Sequence, residues 1–428
     1  MVKIGVCGFG TVGQSFVEHI LSYHEKISKN SGKDFVISII ADRSIDKKKF
    51  KSSNISFTSN IMDVIDSDCD LIVELVGGTE ISYELVKAAI LNKKSVITAN
   101  KALIAEHGDE LFRLSRENQI FIGYEAAVAG AIPIINSLGH NMLNEQILSL
   151  SGIINGTCNY ILERMSSDKL SFEASLSDAQ KLGYAESDPT FDIGGLDAAH
   201  KISILSMLAY GIESPFKKMH IEGIESISSM DIDFADELGY TIKHLALAQS
   251  RDDKIECQVY PALISKRNIL SKIDGVMNAV KIKGDKFGTS LLYGHGAGGA
   301  ATASAVVSNI SDYFNHLQKG INLTLPMLSS KYKGIININD IYNQFYLRMF
   351  ALDEAGVMAE ITSILADYQI SIEAVTQHEP IQNEKLIPIV MITNSVKYSD
   401  IKSAIKKIES LKNIDGTINS IRVLNDNE

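Results

Sequence analysis

The chain has 428 residues, 45% of them hydrophobic, and carries 41 Lys and Arg against 52 Asp and Glu, a formal net charge of −11. That length holds two or three domains with real cores, and the acidic balance lacks the basic footprint of a nucleic-acid binder. No segment approaches the ~18 unbroken apolar residues of a membrane span, so neither nucleic acid nor membrane is expected as a partner. The first residues, "MVKIGVCGFG", run into an apolar segment without the basic region and cleavage site of a secretory leader, and the expected location is cytoplasmic. Cys7, Cys69, Cys158 and Cys257 are scattered, with no CxxC spacing and no nearby histidine cluster, which points to neither zinc nor a disulfide frame.

In chain order, the apolar run Ile4 to Val6 is followed by Gly8-x-Gly10-x-x-Gly13 and then by a helical pattern. In that strand, turn, helix setting Gly8 permits the tight turn, Gly10 lets the backbone approach a pyrophosphate, and Gly13 lets the helix pack on the strand. Phe9, Thr11 and Val12 complete the loop, and the reading is a dinucleotide site with the anion at the helix N-terminus. "DFVISIIADR" reads as a second strand, Ile55 to Phe57 as a short third, "CDLIVELVGG" as a fourth, "KSVITAN" as a fifth and "QIFIGYEA" as a sixth, with helices such as "ISYELVKAAILN" between them. Strand and helix in alternation predict a parallel, doubly wound sheet of the Rossmann type.

Asp42 and Arg43 end the second strand, where an acid holds a ribose 2′-hydroxyl and an arginine favours a 2′-phosphate. Lys47, Lys48 and Lys49 follow and tilt the reading toward NADP over NAD, with a solvated basic turn as the plain alternative. Lys101, just past the fifth strand, falls on the ligand side of such a sheet.

After Gly130 the pattern changes to a helix, a strand and the turn Asn155-Gly156-Thr157, which opens another helix. Strands are expected in "HIEGIESI", "KIECQVYPALI" and "GVMNAVKIKG", which makes this region an α+β substrate domain. "YGHGAGGAATASAVV" adds a glycine-rich turn and a helix that returns toward the cofactor. Between them lies "KLGYAESDPTFDIGGLDAAHK", where Asp197 and Lys201 sit four residues apart at the start of an apolar helix. Spacing alone favours an ordinary surface ion pair there. "LPMLSSKYKGIININD" reads as a linker, and from residue 342 the order βαββαβ predicts a ferredoxin-like unit.

The motifs "GFGTVG", "TANKAL", "EAAVAGAIPII", "GIINGTCNYIL", "GYAESDPTFDIGGLDAAHK" and "GAGGAATASAV" occur in one order along the chain. In this the sequence resembles homoserine dehydrogenase, which interconverts L-aspartate 4-semialdehyde and L-homoserine with NAD(P)H, in threonine and methionine biosynthesis. The C-terminal unit resembles an ACT domain, with Asp353, Gly356 and Val357 in its loop and Ala355 in place of a frequent proline. Gly194 and His295 depart from the family pattern locally.

The resemblance implies Lys201 as proton donor to the carbonyl oxygen, Lys101 as a second active-site lysine, and Glu186 and Asp197 as holders of the substrate's amino and hydroxyl ends. It places Gly183, Gly298 and Arg43 with the Gly8 to Gly13 loop around the cofactor, and a sodium ion on backbone carbonyls of Glu125, Val128, Gly130 and Ile132. It further implies a homodimer or homotetramer and a threonine effector at the ACT domain. The expected division is 1–130 for the nucleotide domain, with a helix near 297–318 returning to it, 131–318 for the catalytic domain, 319–341 for the linker and 342–428 for the ACT domain. No aspartate-kinase-like segment precedes these, so a stand-alone dehydrogenase is expected. A non-catalytic nucleotide and amino-acid sensor, or an amino-acid dehydrogenase with another carbonyl substrate, is the alternative.

Overall fold

The computed structural model describes residues 1–45, 54–329, 331–377 and 386–425. Lys47, Lys48 and Lys49 lie outside the described residues. The chain divides into two compact units, one formed by Met1–Leu150, Ala199–Lys217 and Met277–Lys333, the other by Ser151–Ala198, Lys218–Val276 and Gly334–Glu428.

The first unit holds a sheet of β1 (Val2–Cys7), β2 (Phe35–Ala41), β3 (Ser56–Thr58), β4 (Leu71–Glu74), β5 (Ser95–Thr98) and β6 (Ile122–Gly123). Their order is β3-β2-β1-β4-β5-β6 and every neighbouring pair is parallel. Strands buried on both faces by crossover helices become short continuous apolar runs, as Ile4, Val6, Leu71, Val73 and Ile97 show. The strand order reverses between β1 and β4, so the ligand crevice opens at their carboxyl ends. Helix α1 (Thr11–Ser31) covers this sheet together with a much later helix, Gly299–Lys319, whose Ala303, Val306, Ile310 and Phe314 share the core with Phe16, Ile20 and Phe35. The two helices meet closely at Gly299, where a β-carbon would lie 3.0 Å from both Thr11 and Ser15.

In the second unit strands Tyr240–Arg251 and Lys254–Ser265 form a long antiparallel hairpin. Strand Ile414–Val423 joins Lys254–Ser265 in parallel, and Tyr342–Leu352, Leu386–Thr393 and Ile372–Gln377 follow outward. With helices Val357–Asp367 and Tyr398–Glu409 these C-terminal strands make the expected βαββαβ unit. Alternation along Tyr342–Leu352 sends Phe345, Leu347 and Met349 to the face covered by those helices, and Tyr346 to the opposite core with Ile161, Ile224, Phe234 and Leu263. Arg348, next along that second face, pairs through Nε with the fully buried Asp231 at 2.6 Å, while Tyr346 and Asn419 donate to the same carboxylate at 3.1 and 2.8 Å.

Among the described residues two long strands, besides the two-residue Val396–Lys397, are not apparent in the sequence. Tyr240–Arg251 was not anticipated because eight successive residues, Ile242 to Gln249, are buried and the polar alternation of a one-sided strand is missing. Gly288–His295, the partner of Met277–Gly284, is largely exposed and rich in glycine and polar residues, so it reads as part of the glycine-rich turn that follows. "HIEGIESI" contributes only the two-residue strand His220–Ile221.

Candidate active site

In the first unit the chain leaves β1 through Gly8 at φ +95°, where a β-carbon would sit 2.4 Å from the Leu75 carbonyl oxygen. Gly13 is equally constrained, since a β-carbon there would meet the Gly8 carbonyl at 2.2 Å, so helix and turn close only with glycine at both positions. At Gly10 the same construction meets nothing within 4 Å, leaving the backbone open to a ligand. Thr11 and Val12 begin α1, which has no acidic residue in its first turn, and its N–H groups offer an anion seat.

Phe9 is buried beneath this loop and its N–H donates to Asp42 Oδ2 at 2.7 Å. The other Asp42 oxygen takes the Ser44 N–H at 2.8 Å and hydroxyl at 2.7 Å. Both carboxylate oxygens therefore hold protein groups, while Arg43 is exposed beside them. The cleft, about 780 Å³, is lined by Gly8, Gly10, Asp42, Arg43, Asn60 and Val76 among others. Gly298, at φ +119°, caps the helix whose next residue touches Thr11, and so stands near the same loop.

Lys101 is the first residue of helix Lys101–Asn118, directly after β5, and is half-buried. Asn100 caps this helix by accepting the Leu103 N–H at 3.1 Å. Below it the fully buried Glu74 accepts hydroxyls from Thr98 at 2.6 Å and Ser82 at 2.9 Å, and the Val76 N–H at 2.8 Å. Glu74 thus joins the ends of β4 and β5 and shapes the Val76 to Gly78 turn. Sequence reasoning missed it, although an acid inside the apolar "VELVGG" was a usable signal.

In the second unit Asn155 caps helix Gly156–Ser167 by accepting the Cys158 N–H at 2.7 Å. Its amide nitrogen donates at 2.8 Å to both Asp192 Oδ1 and Asp197 Oδ2. One side chain so brings together two carboxylates of the acidic segment, and the Thr157 hydroxyl holds the Tyr184 carbonyl at 2.6 Å. The sequence does not point to Asn155 and Asp192 as site residues, because the contact between them spans thirty-seven residues and leaves no local pattern.

Helix Leu196–Tyr210 starts here. Asp197 is 3% and Lys201 8% exposed, so the surface ion pair favoured by spacing alone is ruled out. Gly183 at φ +76° and Glu186 are both exposed, and Glu186 stands outside the Asn155 cluster, with its backbone carbonyl taking the Gln180 amide at 3.1 Å.

Family models match along the chain: the homoserine dehydrogenase NAD-binding domain over residues 8–125, homoserine dehydrogenase over 133–311 and the ACT domain over 345–413. A homoserine dehydrogenase of Pseudomonas aeruginosa is 40% identical over 428 residues, covering 99% of this chain and 98% of that protein. The chain belongs to the homoserine dehydrogenase family. It is an NAD(P)-dependent oxidoreductase acting on a CH–OH group. Among solved structures, a homoserine dehydrogenase from Thiobacillus denitrificans superposes with a TM-score of 0.93 at 39% identity, covering 99% of this chain and 98% of that one. A hyperthermophilic archaeal homoserine dehydrogenase in complex with NADPH matches with a TM-score of 0.62 at 29% identity, over 72% of this chain and 96% of that one.

The turn expected to take sodium is buried: Glu125, Val128 and Ile132 are at most 2% exposed. The Glu125 carboxylate is engaged by the N–H groups of Ile135 and Asn136 at 3.0 and 2.8 Å, and burial pushes its pKa up to about 7. The Glu125 backbone carbonyl accepts the Val128 N–H at 3.4 Å. Ala129 and Gly130 both take left-handed φ, +55° and +50°. A β-carbon at Gly130 would lie 2.8 Å from the Gly296 carbonyl, so this position requires glycine.

Proposed function

We propose that the chain reduces L-aspartate 4-semialdehyde to L-homoserine, and runs the reverse reaction, with Lys201 as the proton donor and NADP(H) as the preferred cofactor. The observation that carries this reading is the start of helix Leu196–Tyr210, where Asp197, anchored by Asn155, is followed one turn later by a buried lysine. When bound, the nicotinamide supplies the hydride to the carbonyl carbon. Lys201 protonates the oxygen as alkoxide charge develops and stabilises that charge beforehand. Lys101, at the carboxyl side of the sheet, adds positive charge for the same oxygen. Asp197 and Glu186 hold the amino and hydroxyl ends of the substrate.

The cofactor's pyrophosphate is held by Gly8, Phe9, Gly10, Thr11, Val12 and Gly13, with Gly298 and Gly183 at its margins. The NADP preference is supported by Asp42 spending its oxygens on Phe9 and Ser44, which leaves the exposed Arg43 to take a 2′-phosphate. Sodium on the carbonyls of Glu125, Val128, Gly130 and Ile132 serves as a structural ion. The proposed division remains 1–130, 131–318, 319–341 and 342–428, and the last part takes threonine as effector. The exposed loop Asp353 to Gly356 supports this, with Gly356 at φ +102° opening helix Val357–Asp367 and nothing within 4 Å of where its β-carbon would be. No helix among the described residues is long and apolar enough to cross a membrane.

Two substitutions test the assignments by steady-state kinetics. Arg43→Ala is expected to raise KM for NADP by roughly tenfold, the scale of one charge-assisted contact, and to leave KM for NAD unchanged. A parallel loss with both cofactors removes Arg43 from phosphate recognition. Glu186→Ala is expected to raise KM for homoserine with little change in kcat, since its partner is the substrate's ammonium in ground and transition states alike. An unchanged KM sinks that role.

A further inference from the structure

Within the second unit a chain of polar contacts runs from the C-terminal module to the turn that carries Asp197. Arg422, on the last strand, is 2% exposed and lies 3.8 Å from the centre of the Tyr260 ring. Its Nη1 donates to Gln258, whose amide donates to the fully buried Glu256 at 2.6 Å, and Glu256 also pairs with Arg251 at 2.6 Å. Its Nη2 pairs with Glu222 Oε2 at 2.7 Å. The other Glu222 oxygen receives His220 Nε2 at 2.6 Å and the Tyr398 hydroxyl at 3.4 Å. Burial disfavours the charge on Glu222, but His220 and Arg422 outweigh it and hold the pKa at about 2.

The backbone of Glu222 faces the other way. Its N–H is fixed by the Val259 carbonyl at 2.8 Å, and its carbonyl accepts His244 Nε2–H at 3.0 Å. His244 is 2% exposed, and burial lowers its pKa, so it stays neutral. Gly195, at φ +90° and two residues before Asp197, is packed on this pair: a β-carbon there would lie 3.2 Å from the Glu222 carbonyl oxygen and 3.3 Å from His244 Cε1. On the next residues the Ile224 N–H donates to the Ile193 carbonyl at 2.9 Å, and a β-carbon at Gly223 would fall 2.3 Å from that same oxygen. The Ile193 to Gly195 turn is thus seated on the Glu222 to Ile224 segment without slack.

We propose that Glu222 is a positioning residue for substrate, through which Arg422 and Tyr398 of the C-terminal module set the place of the Gly195 turn and so of Asp197. Glu222 touches no reacting atom. It holds the module's side chains with its carboxylate and the substrate turn with its backbone, so a shift of the last strand is passed to Asp197. The inference rests on the assignment of Asp197 to the substrate.

The test is steady-state kinetics and thermal unfolding of the full-length enzyme carrying Glu222→Gln, which keeps the backbone carbonyl and removes the charge. KM for homoserine is expected to rise by about tenfold, with kcat within about twofold and KM for NADP unchanged. Arg422→Lys, which keeps the charge but loses the forked geometry, is expected to move the same constant in the same direction. A lowered melting temperature with unchanged KM for homoserine, equal changes in both KM values, or failure of both variants to fold would make the pair a stability element only and overturn the proposal. Asp197→Asn separates the two levels. If it leaves KM for homoserine unchanged, the substrate assignment fails; if it raises KM while Glu222→Gln does not, the positioning role fails.

Discussion

Replacing Lys201 with alanine is expected to lower turnover by more than ~100-fold while the protein stays folded. The lysine sits on a helix whose next residues, Ile202 to Met207, are all buried, and alanine preserves both helix propensity and the apolar packing around it. On the proposed assignment the substitution removes the proton donor to the developing alkoxide, a contribution made in the transition state. KM for homoserine is therefore expected to change little, since Asp197 and Glu186 are the residues proposed to bind the substrate's ends in the ground state. Comparison of kcat and KM with the unfolding curve checks this. A loss below tenfold in kcat means that another group protonates the oxygen.

The second large effect concerns the C-terminal module. From sequence, a chain ending near Asp340 is expected to keep the dehydrogenase reaction and lose threonine inhibition; the structure changes the first half of that expectation. Tyr346, Val390, Ile392, Ile421 and Val423 share one core with Ile161, Leu162, Phe234 and Leu263. Strand Ile414–Val423 also covers the edge of Lys254–Ser265. Each buried side chain of this kind is worth ~1.5–3 kcal/mol, so stripping the module exposes on the order of 10 kcal/mol of apolar contact, as much as a whole domain's typical ~5–15 kcal/mol. Asp231 would further lose Arg348, Tyr346 and Asn419, three of the partners that compensate its carboxylate, and keep Ser228.

The truncated chain is expected to be insoluble or to unfold far below the melting temperature of the full-length enzyme. A truncation that melts within a few degrees of it would show that the shared core contributes little. Regulation is better probed in the intact chain by Gly356→Val, which places a β-branched side chain at φ +102° on the exposed loop. This variant is expected to abolish inhibition by threonine and to leave homoserine oxidation in place. Inhibition equal to that of the unaltered enzyme would remove the loop as the effector site.

How far the sequence reveals this molecule depends on the range of the interactions involved. The six parallel strands and the glycine loop were legible because each is a local pattern, an apolar run followed by a turn residue with a steric reason to be there. Tyr240–Arg251 was not, since a strand buried on both faces loses its alternation. At the site the four-residue spacing of Asp197 and Lys201 was visible, yet their burial was not, and burial is what distinguishes a reaction centre from a surface pair. Asn155 and Glu222 reach partners tens of residues away, so their contacts leave no local signature, whereas Glu74 stands out in the sequence as an acid inside an apolar run. Asp42 shows the converse: the position invited a ribose contact, and only the structure reveals that its oxygens hold Phe9 and Ser44.

The most direct measurement is a spectrophotometric assay of L-homoserine oxidation by the full-length protein, with NADP and NAD offered separately. The account requires homoserine-dependent formation of reduced nicotinamide, with the higher kcat/KM for NADP and with Lys201→Ala near background. Absence of turnover with either cofactor, in a protein that binds nucleotide, would contradict it and leave a nucleotide and amino-acid sensor as the better description.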